Sequence, residues 1–145
     1  MRRRYVPLFS VVVWSACGTT AAPSDAAGTV PDSGLAGQAY VASRGCPTCH
    51  QSLEAADGVL SGQTRAIAGT TVFGRNLTPD RTTGIVWNDG QLGNALRYGI
   101  DDQGFNLCPT MPRTPDISDD EVHAINVYLR SLPPVHHAIP TSSCL

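Results

Sequence analysis

The sequence predicts a small all-α domain of three to five short helices joined by long loops. Three observations lead there. Apolar residues recur at helical spacing behind capping signals in two segments, and a third segment follows the same period more loosely. Glycine and proline make up 25 of the 145 residues while aromatics reach only 6%, a balance that favours short elements and many turns. No alternating strand pattern precedes Cys46. A chain of this size can bury a core without staples, but one this poor in large side chains has little to fill its centre.

The elements follow in chain order. "MRRRY" is a charged start and "VPLFSVVVWSA" a short apolar run, so residues 1–16 read as a secretory signal peptide, too short for a permanent membrane span. The run ends in "WSACG", which resembles a lipoprotein processing site and makes Cys17 the expected lipidation point, although Trp14 stands where an aliphatic residue is usual. Ordinary cleavage near "TTAA" is the alternative. Residues 17–32 are small, polar and dotted with Pro and Gly, the composition of a flexible tether. The domain is expected over 33–145, including a C-terminal tail. "PDSGLAGQAYVASRGC" reads as its first helix, with Ser33 as N-cap and Leu35, Tyr40 and Val41 as its apolar stripe. Residues 56–86 read as loops with room for a short hairpin. A second helix is expected from Asn88 or Asp89, turning Leu92, Ala95, Leu96 and Tyr98 inward. "ISDDEVHAINVYLRSLPP" is the clearest element: Ser118 and Glu121 form a capping box, Val122, Ile125, Leu129 and Leu132 keep the helical period, and Pro133 and Pro134 stop it.

Beyond residue 16, seven arginines face twelve carboxylates, a balance of −5, and the whole chain contains no lysine. This argues against nucleic acid as a partner. A protein partner would present positive charge. Five cysteines are an odd number for an exported chain. Assigning Cys17 to the lipid and Cys46 and Cys49 to one motif leaves Cys108 and Cys144. In an oxidising compartment that pair is expected to bond, closing about 37 residues for roughly 3–4 kcal/mol. Two unpaired buried cysteines are the lesser alternative.

The motif is "CPTCH", Cys46 to His50. Cys-x-x-Cys-His is the attachment signal of c-type haem. On one helical turn residues i and i+3 project from one face, so both thiols can add to vinyl groups on one porphyrin edge while His50 swings beneath the ring to ligate iron. A thioredoxin-like redox pair would need a βαβ setting that is missing here, and a zinc site would need four ligands with no second close pair to supply them. Apart from Met1, Met111 is the only methionine. It lies in the stretch "LCPTMPRTP", between Pro109 and Pro112, whose fixed φ angles stiffen a loop, and it is the expected sixth ligand; methionine sulfur opposite histidine raises a haem potential. A lone methionine is otherwise a core filler. His123, on an exposed helix face, and His136 and His137, an exposed pair in the tail, are the rival ligands. A haem at the centre would supply the missing apolar mass, and the haem-free chain should fold poorly.

Taken together, "CPTCH" after a first helix, a lone Met in a Pro-rich loop and a final helix ending "YLRSLPP" resemble class I cytochrome c. "GRNLTPDRTTGIVWNDGQLGNALRYGI" resembles the cytochrome domains of bacterial membrane-bound alcohol and gluconate dehydrogenase complexes. The resemblance covers about residues 33–135. It implies a small cytochrome c fold around one covalent haem c, held by Cys46 and Cys49 with His50 and Met111 as axial ligands. It implies that Asn76, Thr78 and Trp87 lie along the haem edge, towards the propionates. Where such proteins often read Gly-Pro-Asn-Leu and orient the ligand histidine through the proline carbonyl, this chain has Arg75. Its carbonyl could accept the same bond, or its side chain could pair with a propionate. The lysine ring of mitochondrial-type carriers is missing, and there is a single haem motif.

The functional expectation is an exported, periplasmic, lipid-anchored monohaem cytochrome passing single electrons between redox partners, and not an enzyme itself. The alternatives are a haem protein with a labile sixth site, binding gases or peroxide, and a zinc-stabilised interaction module.

Overall fold

The computed structural model describes residues 32–54 and 59–144. The expected signal peptide, Cys17 and the tether as far as residue 31 fall outside these residues, while Asp32, read as the last tether residue, is helical. The described chain forms four α-helices, α1 (Asp32–Ser43), α2 (Pro47–His50), α3 (Asp89–Tyr98) and α4 (Asp119–Ser131). Among the described residues there is no strand, only an isolated antiparallel bridge between Ile100 and Asn106. The all-α class and the helix number agree with the sequence, and the hairpin allowed for in 56–86 does not form among the residues described there.

The helices begin and end for local reasons. Asn88 caps α3 by accepting the Gln91 backbone N–H while the Gln91 side chain reaches back, and Ser118 and Glu121 do the same for α4. Gly99 ends α3 in the left-handed conformation, where a Cβ would be strained. α1 differs from expectation at its start. It begins at Asp32, so Ser33 lies within the helix and is not its cap. Nor does it run unbroken to Cys46: a turn at 44–46, with Gly45 at φ +71°, separates it from α2.

α1 and α3 both pack on α4. The α1 face is not the large apolar stripe expected from sequence. Leu35 is 55% exposed, and the buried residues are Gly34, Gly37 and Val41. The reason is a close backbone crossing: a Cβ on Gly37 would sit 2.0 Å from the Ala124 carbonyl oxygen of α4. Small residues let two helices approach nearly backbone to backbone, and a large side chain here would hold them apart. We therefore expect Gly37→Ala to cost about 3 kcal/mol in a urea titration, since neither backbone can yield without moving its helix. Unchanged stability would refute the close crossing. Tyr98, expected inward, is 64% exposed, whereas Leu92 and Ala95 are buried and Leu96 packs partly against the core. Val122, Ile125, Leu129 and Leu132 of the last helical segment complete that core with Val41, Leu60 and Ile117. An Arg44–Glu121 ion pair, 2.9 Å, ties the end of α1 to the first turn of α4.

The tail after α4 is a strap rather than a loose end. Val135 accepts from Asn76 Nδ2 at 2.8 Å and donates its N–H to Thr78 Oγ1 at 3.2 Å. His137 donates its N–H to Thr83 Oγ1 at 3.0 Å. Ser142 accepts the Phe73 N–H at 2.9 Å, and Ser143 donates to the Thr71 carbonyl at 3.1 Å. Cys144 then lies at disulfide distance from Cys108, with Cα atoms 5.2 Å apart. His136 is exposed, but His137 is half-buried with Nδ1 2.9 Å from the Ser61 carbonyl. The two are thus not an exposed pair.

Candidate functional site

α2 exists because Cys46 has helical dihedrals and Pro47 follows at the first helical position, where its missing N–H costs nothing. The turn puts the Cys46 and Cys49 side chains on one face. Both are free thiols, half-buried. Cys46 touches the apolar core, and burial pushes its thiol pKa up, against the smaller lowering effects of a backbone hydrogen bond and of Arg44.

The loop segments 60–63 and 74–77 grip this turn from outside. Gly62 donates its N–H to the His50 carbonyl at 2.8 Å, and Gln63 donates Nε2 to the Cys49 carbonyl at 2.7 Å. Gln63 N–H meets the Gly74 carbonyl at 3.1 Å, and Leu77 N–H the Leu60 carbonyl at 2.8 Å. Gly74 passes so close that a Cβ there would lie 1.6 Å from the Cys49 carbonyl oxygen. Leu60 anchors the arrangement. It is fully buried at φ 62°, a left-handed conformation uncommon for a residue with a side chain.

His50 is half-buried, and its Nδ1 lies 2.8 Å from the Arg75 carbonyl oxygen. A carbonyl only accepts, so Nδ1 carries the proton and Nε2 of the neutral ring keeps its lone pair. Desolvation lowers the His50 pKa and the Arg75 bond opposes it; the balance favours the neutral, ligating form. The Arg75 side chain is exposed. Asn76 and Thr78 are each 1% exposed, and their polar atoms are engaged: Asn76 Oδ1 accepts from Thr78 N and Oγ1, and Nδ2 donates to Thr83 Oγ1 and Val135 O. Trp87 is half-buried against the core, and its carbonyl accepts from Arg130 of α4.

Met111 is half-buried in the loop between α3 and α4, its N–H donated to the Cys108 carbonyl at 3.0 Å. The rival His123 is exposed and pairs with Asp89 at 2.8 Å. His136 meets Thr82 Oγ1 at 2.9 Å and sits 3.7 Å from Asp80. Asp80 accepts four hydrogen bonds from Thr82 and Thr83. These bonds, led by the Thr82 hydroxyl, hold its carboxyl well below the usual range. Among the described residues no three His, Cys, Asp or Glu converge on a common point. No helix among them is long and apolar enough to cross a membrane.

The donor set suits an iron porphyrin: two thiols on one helical turn and a neutral imidazole whose tautomer is fixed by a backbone carbonyl. Sequence reasoning named these groups but missed Gly62, Gln63 and Leu60, which clamp the turn from behind. Only the glycine beginning "GRNL" hinted at a close backbone approach there.

Two proteins of similar sequence are, by name, subunits of dehydrogenases. The chain is 32% identical over 104 residues, 68% of its length, to the gluconate 2-dehydrogenase cytochrome c subunit of Pantoea cypripedii. It is 30% identical over 109 residues, 73% of its length, to a subunit of the nicotinate dehydrogenase of Pseudomonas putida. The match spans 23% of the first relative and 9% of the second, so the chain corresponds to a small part of each. No protein-family profile matches it.

Proposed function

We propose that this protein is an exported monohaem c-type cytochrome that relays single electrons between redox proteins. The observation that carries the reading is the Cys46–His50 turn, with two free thiols on one face and His50 Nδ1 turned onto the Arg75 carbonyl. Cys46 and Cys49 would hold haem c through thioethers, and His50 Nε2 would be the proximal ligand. Met111 is the proposed sixth ligand, with Asn76, Thr78, Trp87 and Arg75 near the haem edge. Bound there, haem supplies a one-electron couple. The chain's own part is to keep both ligands in place in either oxidation state and to shield all but one porphyrin edge. The similarity to a cytochrome c subunit supports an electron-transfer role rather than catalysis.

The partners we propose are redox proteins, among them dehydrogenase subunits, docking through a basic face against this acidic, lysine-free chain. The proposed location is the periplasm, with a lipid on Cys17 as the membrane anchor.

The test is to express the full chain with a c-type maturation system and record ferric and ferrous spectra. The expected product is low-spin in both states, and its haem survives acid extraction because both thioethers form. A colourless product, or haem that washes out with acid, would end the reading.

A further inference from the structure

We propose that Arg113 is a positioning residue for Met111, holding the loop that presents it; this rests on the reading of Met111 as the sixth ligand. The loop from 107 to 111 curls so that the carbonyls of Leu107, Cys108 and Met111 meet the Arg113 guanidinium. NH1 donates to the Met111 carbonyl at 2.9 Å. NH2 donates to the Leu107 carbonyl at 2.9 Å and lies 3.5 Å from that of Cys108. The guanidinium in turn rests on Gly99, the left-handed residue that closes α3. A Cβ at Gly99 would lie 1.9 Å from Arg113 Cζ. Leu107 N–H donates to the Gly99 carbonyl at 2.7 Å, and Thr114 N–H to the Leu96 carbonyl at 2.8 Å. The helix end, the loop and the arginine thus form one closed unit.

The chemistry calls for arginine. A planar fork can reach two carbonyls at fixed angles while lying flat on a bare glycine; an ammonium is a point charge and does neither. Pro109 and Pro112 stiffen φ at two positions, yet they do not tie the loop to the rest of the protein. The links to α3 are the Leu107 bond to Gly99, the Thr114 bond to Leu96 and the Arg113 guanidinium lying on Gly99, and of these only Arg113 also holds the Met111 carbonyl. The bond to the Met111 carbonyl acts on the very residue whose sulfur must stay put. Loosening it raises the fraction of molecules whose sulfur has left its place, and an outside ligand binds in proportion to that fraction.

The test uses ferric holoprotein and imidazole as the probe, followed by absorbance, for the parent, Arg113→Gln and Met111→Ala. Thermal unfolding of each is recorded in parallel. The expected result is that R113Q binds imidazole about tenfold more tightly than the parent, with M111A tighter still. If R113Q binds imidazole as the parent does while M111A binds it far more tightly, Met111 ligation stands and the role of Arg113 is refuted. That role is refuted as well if R113Q lowers the unfolding temperature without changing imidazole affinity, for then the residue is only structural. If M111A binds as the parent does, Met111 is not the ligand and both ideas fall. Should R113Q not mature with haem, Arg113→Lys takes its place with the same expectation, since it keeps the charge and loses the fork.

Discussion

Met111→Ala is expected to lower the midpoint potential by more than about 100 mV, a modest part of the ≈ 0.8 V over which axial ligands set haem potentials. Thioether sulfur favours the ferrous state, and a methyl group cannot replace it. Water or a weak outside ligand would then take the open position, and the ferric spectrum would gain high-spin character. Potentiometry with parallel ferric and ferrous spectra measures both effects. The three other histidines give the alternative its shape. Each is held through Nδ1 and leaves Nε2 as the possible donor: His123 to Asp89, His136 to Thr82 and His137 to Ser61. A variant with the parent's potential and low-spin spectrum would mean that one of them, and not Met111, completes the coordination.

Gly74→Ala should be the most damaging Gly→Ala change among the described residues. Its Cβ would fall 1.6 Å from the Cys49 carbonyl oxygen and 2.5 Å from the carbonyl carbon, and both are backbone atoms. The Cys49 carbonyl is held from another side by Gln63. The stretch of loop at 74–75 must therefore back away and take the Arg75 carbonyl off His50 Nδ1. We expect a loss on the order of 3–5 kcal/mol, above the usual cost of overpacking because a buried hydrogen-bond network breaks with it. Urea unfolding of the holoprotein reads the stability. A changed pattern of haem methyl proton shifts, which depends on imidazole orientation, reads the lost bond. Parent-like values in both would show that 74–75 does not support His50.

The sequence disclosed those parts whose signals are local. Ser118 and Glu121 stand three apart before an apolar period, and that capping box forms as read; the helix expected from Asn88 or Asp89 starts at Asp89, and its capping box, Asn88 with Gln91, was not foreseen. "CPTCH" is legible because its chemistry is confined to five neighbours. The errors arise where contacts are distant in sequence. Leu35 looked like a core residue because it is large, yet glycine builds the α1–α4 crossing, and glycine gives no hydrophobic signal. Tyr98 fell on the wrong face because α3 ends there and its last side chain points past the core. In 56–86, composition announced loops but not that Leu60, Asn76 and Thr78 would be among the most deeply buried side chains. Their burial depends on Val135, 57 to 59 positions further on where the polar pair is concerned, and no window of neighbouring residues reveals it. His137 was misread for the same reason.

The strap also sets an order of events. Synthesis runs from the N-terminus, so the Cys46–His50 turn exists well before Val135, and Asn76 and Thr78 have no Val135 to bond until almost the whole chain has been made. During that interval the loop that clasps the turn lacks the two bonds that Val135 provides. The tail then draws the loop shut and ties its end to the neighbourhood of Met111 through Cys108. On the haem reading proposed above, attachment before latching is the order that the direction of the polypeptide favours.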